Sequence, residues 1–153
     1  MIPCNIDGLT KYLTAQKLNP VYQKETNQIY VICKINTQEF PLFFRIYEGE
    51  DLLQLLIFFP LQITHERFNA MARMLHLLNK EIDLPGFGMD EVVGLAYHRI
   101  MMPVFEKKID THLLSSYLAA VPKICEQFFP SIMGTATSDL TFEEILKKSQ
   151  KNK

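Results

Sequence analysis

The chain is short of cysteine, of charge of one sign and of long apolar runs, and each shortage excludes a class of protein. Its three cysteines, Cys4, Cys33 and Cys125, are scattered through 153 residues with no C-x-x-C spacing. An odd, dispersed set writes neither a disulfide framework nor a zinc knuckle, so a reducing cytoplasm is the expected setting. The 16 Lys and Arg are matched by 17 Asp and Glu, giving a formal charge of −1. The basic surface needed to track phosphates is therefore missing, and no nucleic-acid partner is expected. The longest apolar stretch, residues 52–63, is interrupted by Gln54, Pro60 and Gln62. It falls short of the about 20 residues a spanning helix needs, so no membrane insertion is expected. Residues 1–4, Met-Ile-Pro-Cys, also lack the charged and apolar regions of a secretory signal.

Catalytic patterns are missing as well. Neither G-x-S-x-G nor S-x-x-K occurs, and Cys125 falls on a helical apolar stripe, where a buried structural thiol is expected. His65-Glu66-Arg67-Phe68-Asn69 lacks the second histidine of a zinc hydrolase. His65 and His76 would stand about 16 Å apart along one helix, too far to share an ion. Gly86-Phe87-Gly88 lacks the third glycine of a dinucleotide loop. The carboxylates Glu48, Glu50, Asp51, Asp90 and Glu91 fall in turns, where solvated charge is expected. No catalytic residue, metal ligand or cofactor is assigned, and the chain is expected not to be an enzyme.

What is present is hydrophobic pattern. Asp7 can cap a helix reaching to about Leu18, stopped at Asn19-Pro20. Strands are expected over 29–35, 40–47 and 52–59, joined by short turns as an antiparallel meander. Thr64 can cap a helix over 65–80; strands over 87–90 and 92–102 follow, then a helix from Asp110 or Thr111 that Pro122 should kink. Thr141 with Glu144 writes a capping box for a short helix over 142–148. The expected fold is α+β. An antiparallel sheet of about five strands carries helices on one face, in the order α-β-β-β-α-β-β-α plus a short C-terminal helix. One domain over 1–133 and a polar tail over 134–153 are expected.

The strands carry more apolar surface than one helical layer covers. Ile29, Val31, Cys33 and Ile35 share a face, yet Tyr30 and Ile32 oppose them. Leu42, Phe44 and Ile46 oppose Phe43 and Tyr47, and Leu53, Leu55, Ile57 and Phe59 oppose Leu52, Leu56 and Phe58. A sheet wetted on one side should alternate more cleanly. Either the chain's own end segments close over the second face or another polypeptide does, because contiguous exposed apolar patches mark interaction sites. The 65–80 helix is similarly over-supplied. Beyond its main stripe, Met74 and Leu77 extend the apolar arc, which suits a symmetry mate or a place between sheet and last helix.

The segment Leu77-Leu78-Asn79-Lys80-Glu81-Ile82-Asp83-Leu84-Pro85-Gly86-Phe87-Gly88-Met89-Asp90, followed by 92–103, resembles the centre of YbjN-like proteins. It also resembles the related fold of class I type III secretion chaperones. The resemblance implies a small cytoplasmic bacterial homodimer without enzymatic activity. Its dimer interface would involve Met74 and Leu77 with Leu95 and Tyr97 of the following strand. It further implies a protein client, an unfolded effector segment lying over Leu9, Leu13, Ile32, Phe43 and Phe58. A type III secretion chaperone is thus the leading expectation, and a YbjN-like regulator binding a folded partner in signalling or stress response is the alternative.

Overall fold

The structure, a computed structural model describing residues 1–151, is built on a six-stranded antiparallel sheet. Its strands are β2 (Val21–Gln23), β3 (Gln28–Ile35), β4 (Gln38–Ile46), β5 (Leu52–Phe58), β6 (Phe87–Asp90) and β7 (Leu95–Pro103), arranged β2-β3-β4-β5-β7-β6. A ribbon of β1 (Ile2–Pro3) and β8 (Lys108–Ile109) ties the start of the chain to the segment before the last long helix. The helices are α1 (Ile6–Ala15), α2 (Phe68–Glu81), α3 (Thr111–Thr137) and α4 (Phe142–Lys151).

The α+β class and the helical layer on one face agree with the sequence pattern. β1, β2 and β8 add to the expected strands; at two or three residues each they are too short to show a period. Several helix ends differ from expectation. Asn5 rather than Asp7 caps α1: its Oδ1 accepts from Gly8 N at 2.8 Å, while Asp7 sits in the first turn beside Lys11. The Thr64 side chain makes no cap bond; residues 65–67 form a 3-10 turn and α2 begins at Phe68. α3 runs past both Pro122 and Pro130, and the polar segment beginning at Gly134 is at first the end of that helix. The capping box forms as expected, with Thr141 N donating to Glu144 Oε2 at 2.9 Å and Glu144 N donating to Thr141 Oγ1 at 3.2 Å.

One face of the sheet makes the core. Ile29, Val31, Phe40, Leu42, Phe44, Leu53, Leu55, Ile57, Ala96, Ile100 and Met102 point toward the helices, where Leu9, Leu13, Met71, Leu75, Val121, Phe128 and Ile132 meet them in one buried cluster. Aromatic contacts join sheet to α3: the Phe129 ring lies edge-on to Phe40 at 5.1 Å and stacks on Phe59 at 5.9 Å, while Phe128 meets Phe87 at 5.4 Å. Cys125 is buried here as expected, and burial, then Cys33, pushes its thiol up to about 12.

A candidate protein-binding face on the sheet

The second face follows from the same alternation. Because successive strand residues point to opposite sides, the partners of the core residues are aimed away from the helices. Tyr30 pairs with Phe43 across β3 and β4, and Phe58 pairs with Tyr97 across β5 and β7. Their rings form a continuous row over four strands: Tyr30 to Phe43 at 5.5 Å, Phe43 to Phe58 at 5.8 Å and Phe58 to Tyr97 at 6.2 Å. Spacings of this size are those of favourable tilted and edge-to-face pairs. Beyond the row, Gly88 of β6 leaves room for the Tyr97 ring, which a Cβ there would meet at 2.6 Å.

None of these aromatic side chains belongs to the buried cluster or packs against it. They are half-buried because they shield one another, while Ile32 and Val21 at the β3–β2 end are 44% and 45% exposed. The rim carries both signs: Lys34, Arg45 and Arg99 are exposed on this face, with Glu39 directly opposite Lys34 and the half-exposed Asp90 opposite Leu95. The Arg45 guanidinium lies 4.9 Å from the Tyr47 ring centroid, and the Tyr47 hydroxyl donates to Gln54 Oε1 at 3.3 Å, closing one corner.

The structure sorts the residues expected to bind. Ile32, Phe43 and Phe58 do share this face, and Leu95 and Tyr97 extend it toward β6. Leu9 and Leu13 do not: both are 0% exposed, facing the sheet from α1, so they serve the core and offer no surface to a client. The physical reason is that α1 has a single apolar stripe, and its centre is spent on the core. Met74 and Leu77 are not brought beside Leu95 and Tyr97 either. They lie in the helical layer, Met74 buried and Leu77 half-buried, on a groove that α4 helps to close. The contribution of Val21 was not visible in the sequence, since β2 is too short to announce itself.

The segment carrying the family resemblance has a structural task. Asn79, near the end of α2, accepts from Gly86 N at 3.1 Å and Phe87 N at 2.8 Å through Oδ1, and donates to Phe87 O at 3.0 Å through Nδ2. One side chain thereby fixes the entry to β6. Gly86 sits at φ 152°, where a side chain would run into the Arg99 carbonyl oxygen. Next to this turn, His98 is 1% exposed, with Nε2 2.8 Å from Leu84 O and Nδ1 buried without a partner. Burial lowers its pKa, so the ring is a neutral core group rather than a proton donor at a surface.

The profile of the YbjN family, described as "Putative bacterial sensory transduction regulator", matches residues 5–133. The chain belongs to the YbjN family. No curated protein matches it. The YbjN match takes in α1, the whole six-stranded sheet with its open face, and α3 as far as residue 133. It stops short of α4, and it describes a regulator rather than an enzyme. Among the described residues, no helix is long and apolar enough to cross a membrane, and no group of three or more His, Cys, Asp or Glu is placed to hold a metal.

Proposed function

We propose that this YbjN-family chain is a non-enzymatic regulator that binds a folded protein partner on the open face of its sheet. The observation that carries the reading is the uncovered aromatic row Tyr30, Phe43, Phe58 and Tyr97. Six strands at about 4.8 Å spacing and about seven residues of about 3.3 Å each give a face on the order of 650 Å². That is near the low end of stable interfaces, which take roughly 600–1,000 Å² from each partner, and it suits a reversible regulatory contact. The mixed-charge rim around an apolar centre supports a partner whose contact surface is likewise apolar at its centre and polar around it.

Wrapping of an unfolded secretion effector has less support. The strip it would follow includes Leu9 and Leu13, which are sealed in the core. The remaining accessible residues, Ile32, Phe43 and Phe58, form a compact patch instead of a track. A homodimer joined through Leu95 and Tyr97 is the version of the proposal in which the partner is a second copy.

The test is affinity capture from the native cell with the wild-type chain and with Phe43→Glu/Phe58→Glu, each shown to unfold cooperatively. A stoichiometric protein lost only in the variant supports the reading. A partner retained equally by both places the contact elsewhere and overturns it. Protease treatment of the captured complex then distinguishes a folded partner, which resists, from an unfolded client, cut outside the shielded stretch. Sedimentation of the purified chain reports a second copy as a mass of two chains that Tyr97→Glu reduces to one.

A further inference from the structure

α4 follows α3 after the short segment 138–141 and lies beyond the family match. It is seated firmly at one end only. Phe142 is 8% exposed, with the Arg73 guanidinium of α2 4.4 Å from its ring centroid, and Arg73 also pairs with Glu143. Ile145 and Leu146, one turn further on, are half-buried, and from Lys147 to Lys151 the helix is exposed. Between α4, α2 and the end of α3 a groove of about 730 Å³ stays open, lined by Met74, Leu77, Leu78, Pro130, Ile145 and Leu146. The groove opens to solvent, so α4 borders it without filling it.

The groove floor explains the excess apolar arc of α2. Met74, Leu77 and Leu78 form a surface that an amphipathic helix can cover, and α4 is such a helix. Beside it, α2 presents Arg73 and Lys80, which bias the site toward a helix with carboxylates at its start. We propose that the α2–α3 flank is a helix-accepting groove in which α4 is a tethered occupant, displaced by a partner's amphipathic helix of the same pattern. That pattern is an aromatic residue followed at once by a carboxylate, with aliphatic residues three and four positions beyond the aromatic. A short tether gives α4 an effective concentration in the millimolar range, so an incoming helix displaces it when the ratio of its concentration to its Kd exceeds that effective concentration divided by the Kd of the tail. This surface is separate from the open sheet face, and each can fail without the other.

The probe is a labelled synthetic peptide with the sequence of residues 139–151, added to the full chain. Against the wild type it competes with α4. Against Phe142→Ala/Glu143→Lys, whose own α4 is weakened, it should bind about tenfold more tightly. Arg73→Glu should also weaken the tail, and a peptide carrying Glu143→Arg should bind that variant better than the unmodified peptide does. This second arm needs no buried substitution, so it decides the matter if the first variant does not fold. Equal binding to wild type and both variants, or no binding to any, overturns the proposal. So does unprotected hydrogen exchange of the α4 amides in the wild type, because α4 would then not be docked.

Discussion

At the scale of single residues, the chain's polar groups in the interior are fasteners. Asn79 holds three backbone groups of the 86–87 turn. Replacing it with alanine leaves two amides and a carbonyl to find other partners, and at about 1 kcal/mol per bond plus part of the desolvation penalty, Asn79→Ala should cost roughly 2–4 kcal/mol. Urea unfolding measures the loss, and hydrogen exchange should locate it at Gly86 and Phe87. A loss confined to α2 would show that the clamp stabilises the helix end and not the strand entry. His98 gives a pH prediction with a definite sign. Burial lowers its pKa below the ordinary 6.5, so below that pH the unfolded chain takes up a proton that the folded chain refuses. The His98 contribution is therefore flat above pH 6.5 and turns against the fold as pH falls, by up to about 1.4 kcal/mol per pH unit. The urea midpoint should drop between pH 7.5 and 5.5. His98→Leu should be weaker at pH 7.5, having lost the donor to Leu84 O, but should show a flatter profile over that interval.

At the scale of elements, α3 shows how tertiary packing overrides local preference. Pro122 and Pro130 each remove a helical donor, leaving the carbonyls of Leu118 and Glu126 without their usual partners, yet the helix is unbroken. Val121, Ile124, Cys125, Phe128, Phe129 and Ile132 remain buried along one stripe through both prolines, and that stripe holds the segment together. The continuity was legible in the apolar spacing. The continuation past Gly134 was not, because glycine and small polar residues read as the start of a tail. Gly134 has open space around its would-be Cβ. Gly134→Ala should therefore stabilise the chain by about 0.5–1 kcal/mol, the ordinary helix gain, read as a higher thermal midpoint. A decrease would mean that α3 needs flexibility before the 138–141 connection. Helix starts were the other weak point: Asn5 and Asp7 are both plausible caps, and only the folded backbone shows which side chain reaches an N–H.

At the scale of the whole molecule, the sheet has one face for the fold and one for something else, and the distinction lies in neighbouring residues of a single strand. The sequence pattern showed that both faces were apolar; it could not show which would be covered, since that depends on where α1, α2 and α3 converge. It also could not show that the centre of the α1 stripe would be spent on the core, which is why Leu9 and Leu13 read like Ile32 until the helix was placed. β4 offers the direct comparison. Phe44 is fully buried beneath the helices, whereas Phe43 touches Tyr30 and Phe58 on the open side. Phe44→Ala opens a cavity in a close-packed core and should cost about 3–5 kcal/mol. Phe43→Ala removes two aromatic contacts at a half-exposed site and should cost about 1–2 kcal/mol. Denaturant unfolding of the two variants, one residue apart, measures the asymmetry. Comparable losses would mean that the open face is as tightly held as the core, and that a partner is not needed to explain its aromatic side chains.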